Sequence, residues 1–152
     1  MRMKVSTIMS QTVIALQPGD KLTSAIELMR KKNIRHLPIV SKRGDFLGLL
    51  SHRDLLAASA SFLYKEYAER QREILARTPV EELMHKDVVT TTPDADLREV
   101  ARQMKRSKYG CLPVLRGKTL AGIVTASDFL GLSINLLTLY EKFEKARIGI
   151  SR

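Results

Sequence analysis

Residues 48–54 read GLLSHRD, and residues 122–128 read GIVTASD. Both spell a glycine, two aliphatics, a hydroxyl residue, two variable positions and an aspartate. Two aliphatics after a glycine suit the end of a buried strand. A Ser or Thr followed three residues later by an acid is a capping box, which opens a helix by satisfying its first free N–H groups. Each heptad therefore predicts a strand running directly into a helix.

The heptads belong to a longer repeat, and a repeat decides the fold before any local pattern does. A shift of 75 residues aligns Val5 with Val80, Met9 with Met84 and Pro18 with Pro93. It also matches Leu22 with Leu97, Met29 with Met104, and HLPIV (36–40) with CLPVL (111–115), with no gap over thirty-six positions. One residue is then lost from the turn, because SKRGDF becomes RGKTL, and the heptads follow at an offset of 74.

Both copies share an internal order. Val13–Leu16 and Val88–Thr91 are short β-prone runs closed by Pro18 and Pro93. Leu22, Ala25, Ile26 and Met29 recur at helical spacing, as do Leu97, Val100, Ala101 and Met104. These stripes are read as core. Leu37–Val40 and Phe46–Leu50 flank a turn at Gly44, and Leu112–Leu115 and Leu120–Val124 flank one at Gly117. The fold class expected is α/β (α+β): two β-α-β-β-α units, the first over residues 1–75 and the second over 76–152. Residues 54–77 are expected to form one long connecting helix, and 126–147 a terminal one. The latter carries Phe129, Leu132, Leu136, Tyr140 and Phe143 on one stripe, with Leu130, Ile134 and Leu137 on a second. So much apolar circumference asks for a partner surface, and a homodimer is expected.

Composition narrows the function. The chain has 152 residues with 28% charged, and its net charge is +10. The basic residues are scattered, and the groups at Arg30–Lys32 and Arg102–Lys108 fall at predicted helix ends, where cations complement the macrodipole. No basic stretch is interleaved with aromatics and Trp is absent, so nucleic acid is not the expected partner. The single cysteine, Cys111, excludes an internal disulfide and fits a cytoplasmic setting. The N-terminal MRMKVSTIMSQTVIAL is interrupted by polar residues and is not read as a signal peptide, and no apolar run is long enough to span a bilayer.

A helix N-terminus offers unpaired N–H groups to a phosphate, and an aspartate in its first turn can accept hydrogen bonds from a ribose diol. The glycine of each heptad is expected to let the chain approach a ligand closely. The plain alternative is a good cap with its acid favourable to the dipole. No His or Lys base is placed beside Ser51 or Thr125 by any motif, so an enzyme is not expected, and no metal site is either.

Two such units, each with an x-x-L-P-(I/V)-(V/L) strand and the heptad ending, resemble a tandem pair of CBS domains over roughly residues 5–145. The resemblance implies two units packed sheet to sheet about a pseudo-two-fold axis. It also implies two clefts that bind adenosine-containing ligands: AMP, ADP, ATP or S-adenosylmethionine. It implies no required cofactor, only a regulatory ligand, with a partner protein as the recipient of the signal. By the family motif, Asp54 and Asp128 match the ribose-binding aspartate and Ser51 and Thr125 the neighbouring hydroxyl. Cleft one would join Thr125, Ser127 and Asp128 to Thr12, Ile34, Arg35, His36 and Pro38. Cleft two would join Ser51, Arg53 and Asp54 to Asp87, Tyr109, Gly110, Cys111 and Pro113. Asp87 would repel phosphate there. His36 reads equally as a phosphate ligand and as a half-exposed strand residue, while Cys111 reads as a buried filler without metal-binding partners, and His52 and His85 have no metal-ligand constellation either. Rival readings remain a nucleic-acid binder drawing on the +10 charge and a structural dimerisation module with empty clefts.

Overall fold

The computed structural model describes residues 2–58 and 65–149. The first unit holds α1 (Leu22–Lys32), β1 (His36–Val40), β2 (Phe46–Ser51), α2 (His52–Ala58) and α3 (Lys65–Arg77). The second holds α4 (Leu97–Ser107), β3 (Cys111–Arg116), β4 (Thr119–Thr125) and α5 (Ala126–Gly149). Of the connecting helix expected over 54–77, α2 and α3 account for both ends, and residues 59–64 lie outside the described residues.

Each unit is built on one antiparallel hairpin. In the first, Leu37 faces Leu50 across the ladder, and in the second Leu112 faces Val124. The turns need residues at positive φ, supplied by Gly44 at 86° and Gly117 at 61°. The two hairpins meet at these turns: Phe46 N–H donates to Lys118 C=O at 2.9 Å and Leu120 N–H to Gly44 C=O at 3.1 Å.

The first β-prone run of each unit does not become a full strand, contrary to the expected β-α-β-β-α order. Leu16 makes a single parallel bridge to Ile39, and Thr91 makes one to Val114. The reason lies in the hairpins. Leu16 N–H donates to Pro38 C=O and its own C=O accepts from Val40 N–H. A further rung would need an N–H from residue 38, and proline has none. Pro113 stops the second ladder in the same way beside Thr91.

The helical stripes fall where their spacing puts them. Leu22, Ala25 and Met29 of α1 pack with Leu37, Ile39, Leu50 and Leu55, while Leu97, Val100 and Met104 of α4 pack with Leu112, Val114 and Val124. Basic residues close both helices, Arg30–Lys32 in α1 and Lys105–Arg106 in α4. Asp96 caps α4 by accepting from the N–H groups of Arg98 and Glu99.

The two cores exchange their first anchor. Val5 is fully buried in the second unit's core and Val80 in the first's. The segments that carry them are pinned by reciprocal backbone pairs: Ser10 with Ile123, and His85 with Leu49. Each segment lies along the other unit's second strand. A buried valine of this kind contributes roughly 1.5–3 kcal/mol, so the exchange ties the halves together energetically as well as sterically.

Candidate functional site

The exchanged segments shape two clefts, one on each side of the pseudo-dyad. Cleft one is a cavity of about 590 Å³ into which Thr12, Ile34, Arg35, His36, Thr125, Ser127 and Asp128 all face, together with Ser10 and Asn33. Cleft two is smaller, about 260 Å³, and gathers Ser51, Asp54, Asp87, Tyr109, Gly110 and Cys111 with His85 and Lys108. Three of the residues expected in the clefts stand elsewhere. Pro38 and Pro113 are fully buried in the middle of β1 and β3, strands that bury consecutive residues and so are covered on both faces. Arg53 is exposed and lines neither cavity, since the first turn of α2 directs it outward.

At the head of α5, Asp128 Oδ2 accepts from Thr125 N–H at 2.7 Å and from the Thr125 hydroxyl at 2.8 Å. Its Oδ1 accepts no hydrogen bond among the described residues. At the head of α2 the cap is fully reciprocal. Asp54 Oδ2 accepts from Ser51 N–H at 2.8 Å and Oγ at 2.6 Å, and Asp54 N–H donates to Ser51 Oγ at 3.3 Å. Its Oδ1 is also taken, by His85 Nε2 at 3.0 Å. Burial pushes the Asp54 carboxyl up, but the bonds from Ser51 and His85 outweigh it and hold the group below its ordinary range.

This pair brings His85 into cleft two, among whose residues the sequence reading did not count it. The shift of 75 lays His85 on Ser10 and Lys108 on Asn33, and all four line the clefts, but no motif marks any of them in the sequence. Asn33 and Lys108 both end their helices in the left-handed conformation, at φ 52° and 56°.

The heptad glycines are corrected too. A Cβ on Gly48 would stand 2.7 Å from His85 C=O, and one on Gly122 would stand 2.9 Å from Ser10 C=O. These glycines admit the partner unit's exchanged segment, and no ligand is what they make room for. Gly110 has a different neighbour, the His36 ring, whose Cε1 would lie 3.2 Å from a Cβ there. His36 lines both clefts from this position. Burial lowers its pKa, Asp54 opposes the shift, and Arg35 and Arg53 add to it, so the ring is neutral at pH 7. Cys111 is buried, and burial with the Asp128 carboxylate nearby pushes its thiol up to about 12. Such a thiol is chemically quiet. Among the described residues there is no group of three His, Cys, Asp or Glu that could hold a metal ion, and no helix long and apolar enough to cross a membrane.

These features define a class: a duplicated α/β pair with one cleft on each side of its pseudo-dyad. The chain belongs to the CBS domain family, whose model matches residues 5–61 and 80–135. It is similar to MJ1225 of Methanocaldococcus jannaschii, with 31% identity over 128 residues covering 84% of this chain, but it spans only 42% of that protein's length. Among solved structures, it is similar to the Vibrio cholerae protein assigned the name AcuB, for acetoin utilization. The identity is 39% and the TM-score 0.80, covering 93% of this chain and 98% of the other. It is also similar to the CBS domain pair of MJ0100, solved in complex with 5′-methylthioadenosine and S-adenosylmethionine. That likeness has 26% identity and a TM-score of 0.73, and covers 89% of this chain and 98% of the other.

Proposed function

We propose that this CBS pair is a regulatory module that binds an adenosine-containing ligand in cleft one and passes ligand status to a partner protein. The observation that carries the reading is Asp128. Its carboxylate is locked by Thr125 through one oxygen, while the other, Oδ1, has no hydrogen-bond partner among the described residues, and the residue lines a cavity of about 590 Å³. A ribose diol would donate to that oxygen. Arg35 and the N-terminus of the 24-residue α5 supply positive charge for phosphate on the same cavity wall. The MJ0100 pair, solved with S-adenosylmethionine and 5′-methylthioadenosine, supports the ligand class.

The module acts as a cytoplasmic homodimer. The terminal helix supports this: Leu130, Ile134 and Leu137 on one stripe and Tyr140 and Phe143 on the other are exposed along it, apolar surface of the kind two copies cover together. The free, buried Cys111 suits a reducing compartment. The role is binding and signalling, without catalysis.

A thermal-shift series with AMP, ADP, ATP, S-adenosylmethionine and 5′-methylthioadenosine tests the reading. A ligand at a hundred times its dissociation constant stabilises the fold by about 2.7 kcal/mol. No shift with any of the five would overturn it. A steeply salt-dependent gel shift with generic DNA in place of that result would direct the charge surplus to nucleic acid.

A further inference from the structure

The clefts are related by a pseudo-dyad, yet their aspartates are in different states. Ser10 and His85 occupy equivalent backbone positions. Ser10 is held to Ile123 by bonds of 2.9 and 3.0 Å, and His85 to Leu49 by two of 2.9 Å. Beyond the backbone they differ. The serine is short, and Asp128 Oδ1 is left without a protein partner among the described residues. The His85 ring lines cleft two and places Nε2 3.0 Å from Asp54 Oδ1.

We propose that His85 is a specificity-determining residue that occludes cleft two by occupying Asp54, so that an adenosine-type ligand enters cleft one alone while the His85 ring is in place. The inference rests on the adenosine reading of the clefts given above. A ribose diol recognised by a carboxylate needs an oxygen facing the cavity. Asp54 Oδ2 already accepts twice from Ser51, and Oδ1 is held by the imidazole of His85, which lines the same cavity. The ring also takes up room in the smaller of the two cavities. Its backbone is fixed by the Leu49 pair, so only side-chain rotation can clear the site. That rotation leaves the core intact, because the His85 side chain is 66% exposed.

Calorimetric titration of the full chain with adenosine tests this, since a ligand without phosphate is indifferent to the charge of Asp87. The wild-type protein is expected to take one adenosine per chain. His85→Ser copies cleft one and is expected to take two, the second being lost again when Asp54→Ala is added. His85→Gln keeps an N–H donor within reach of Asp54 and is expected to return to one. His85→Asn, too short to reach Asp54, repeats the test should the serine variant not fold. Two sites in the wild type, or one site in both His85→Ser and His85→Asn, overturn the inference while leaving the adenosine reading standing. Binding to none of these proteins overturns the adenosine reading and the inference together.

Discussion

The carbonyl oxygen of His85 lies 2.7 Å from the place a Cβ on Gly48 would occupy, and the Met84 sulfur is 2.8 Å away. Gly122 meets Ser10 and Met9 in the same manner, at 2.9 and 3.0 Å. In both units the glycine lies against the hydrogen-bonded segment of the other half of the chain. A methyl group there would push a hydrogen-bonded backbone pair apart. Gly48→Ala and Gly122→Ala are each expected to destabilise the fold by about 1–3 kcal/mol, the usual range for overpacking. Gly19→Ala serves as the control, since nothing lies within 4 Å of its Cβ position. Urea unfolding of the three variants checks the claim, and equal midpoints would defeat it.

Asp128 caps α5 and, in the proposed function, holds ribose. Stability alone cannot separate these roles. Asn accepts a hydrogen bond at a cap nearly as well as Asp but offers the diol a weaker, uncharged acceptor, whereas Ala removes both functions. The expected order of AMP affinity is wild type, then Asp128→Asn, then Asp128→Ala, with the last reduced about tenfold or more, as the loss of a charge-assisted bond of roughly 1.5–3 kcal/mol requires. The expected order of melting temperature places wild type and Asp128→Asn together. An alanine variant that binds AMP as tightly as wild type would leave Asp128 as a cap only.

Much of this was legible in the sequence, and the parts that were not have a common cause. The two helical stripes, the hairpins and the heptad caps are local patterns with a period, and a duplicated pattern is hard to misread. Asp54, Asp128 and most of their cleft walls followed from the family motif with its cross-pairing of units. What escaped were features decided by approach between distant segments. His85 carries no mark of its own, since only the placement of its backbone beside Leu49 brings the ring to Asp54. The heptad glycines were assigned to a ligand because a close approach is visible in sequence while its occupant is not. Val13–Leu16 has strand composition, but the neighbouring strand presents Pro38 where the next rung needs an N–H, and composition says nothing of the neighbour's donors.

Two groups give stability a pH dependence in separate windows. His36 is held neutral, with its pKa lowered from 6.5 chiefly by burial. Below 6.5 the unfolded chain binds a proton there and the folded chain does not, so stability falls as pH drops through that window. Asp54 has its pKa depressed from 3.8. It contributes stability that is present above 3.8 and is lost as pH falls further, through its folded value. His36→Gln is therefore expected to flatten the ligand-free stability profile just below pH 6.5, and Asp54→Asn to flatten only the more acidic limb. Denaturant midpoints measured across this range test both, and a wild-type profile that is flat between neutrality and pH 5 would refute the His36 assignment.

The terminal helix supplies the last prediction. Leu136 and Tyr140 are one turn apart on α5, and their exposures are 54% and 63%. Side chains this open contribute little to the fold of one chain, so charging them leaves the monomer intact. At an interface between two copies the same change places carboxylates against apolar surface, where an unpaired buried charge costs several kcal/mol. Light scattering of the wild-type protein is expected to give twice the 17.2 kDa chain mass. The double variant Leu136→Glu, Tyr140→Glu is expected to give the single mass with unchanged circular dichroism. A double variant that stays dimeric would move the interface off this face of α5. A wild-type protein that remains monomeric at high concentration would remove the homodimer altogether.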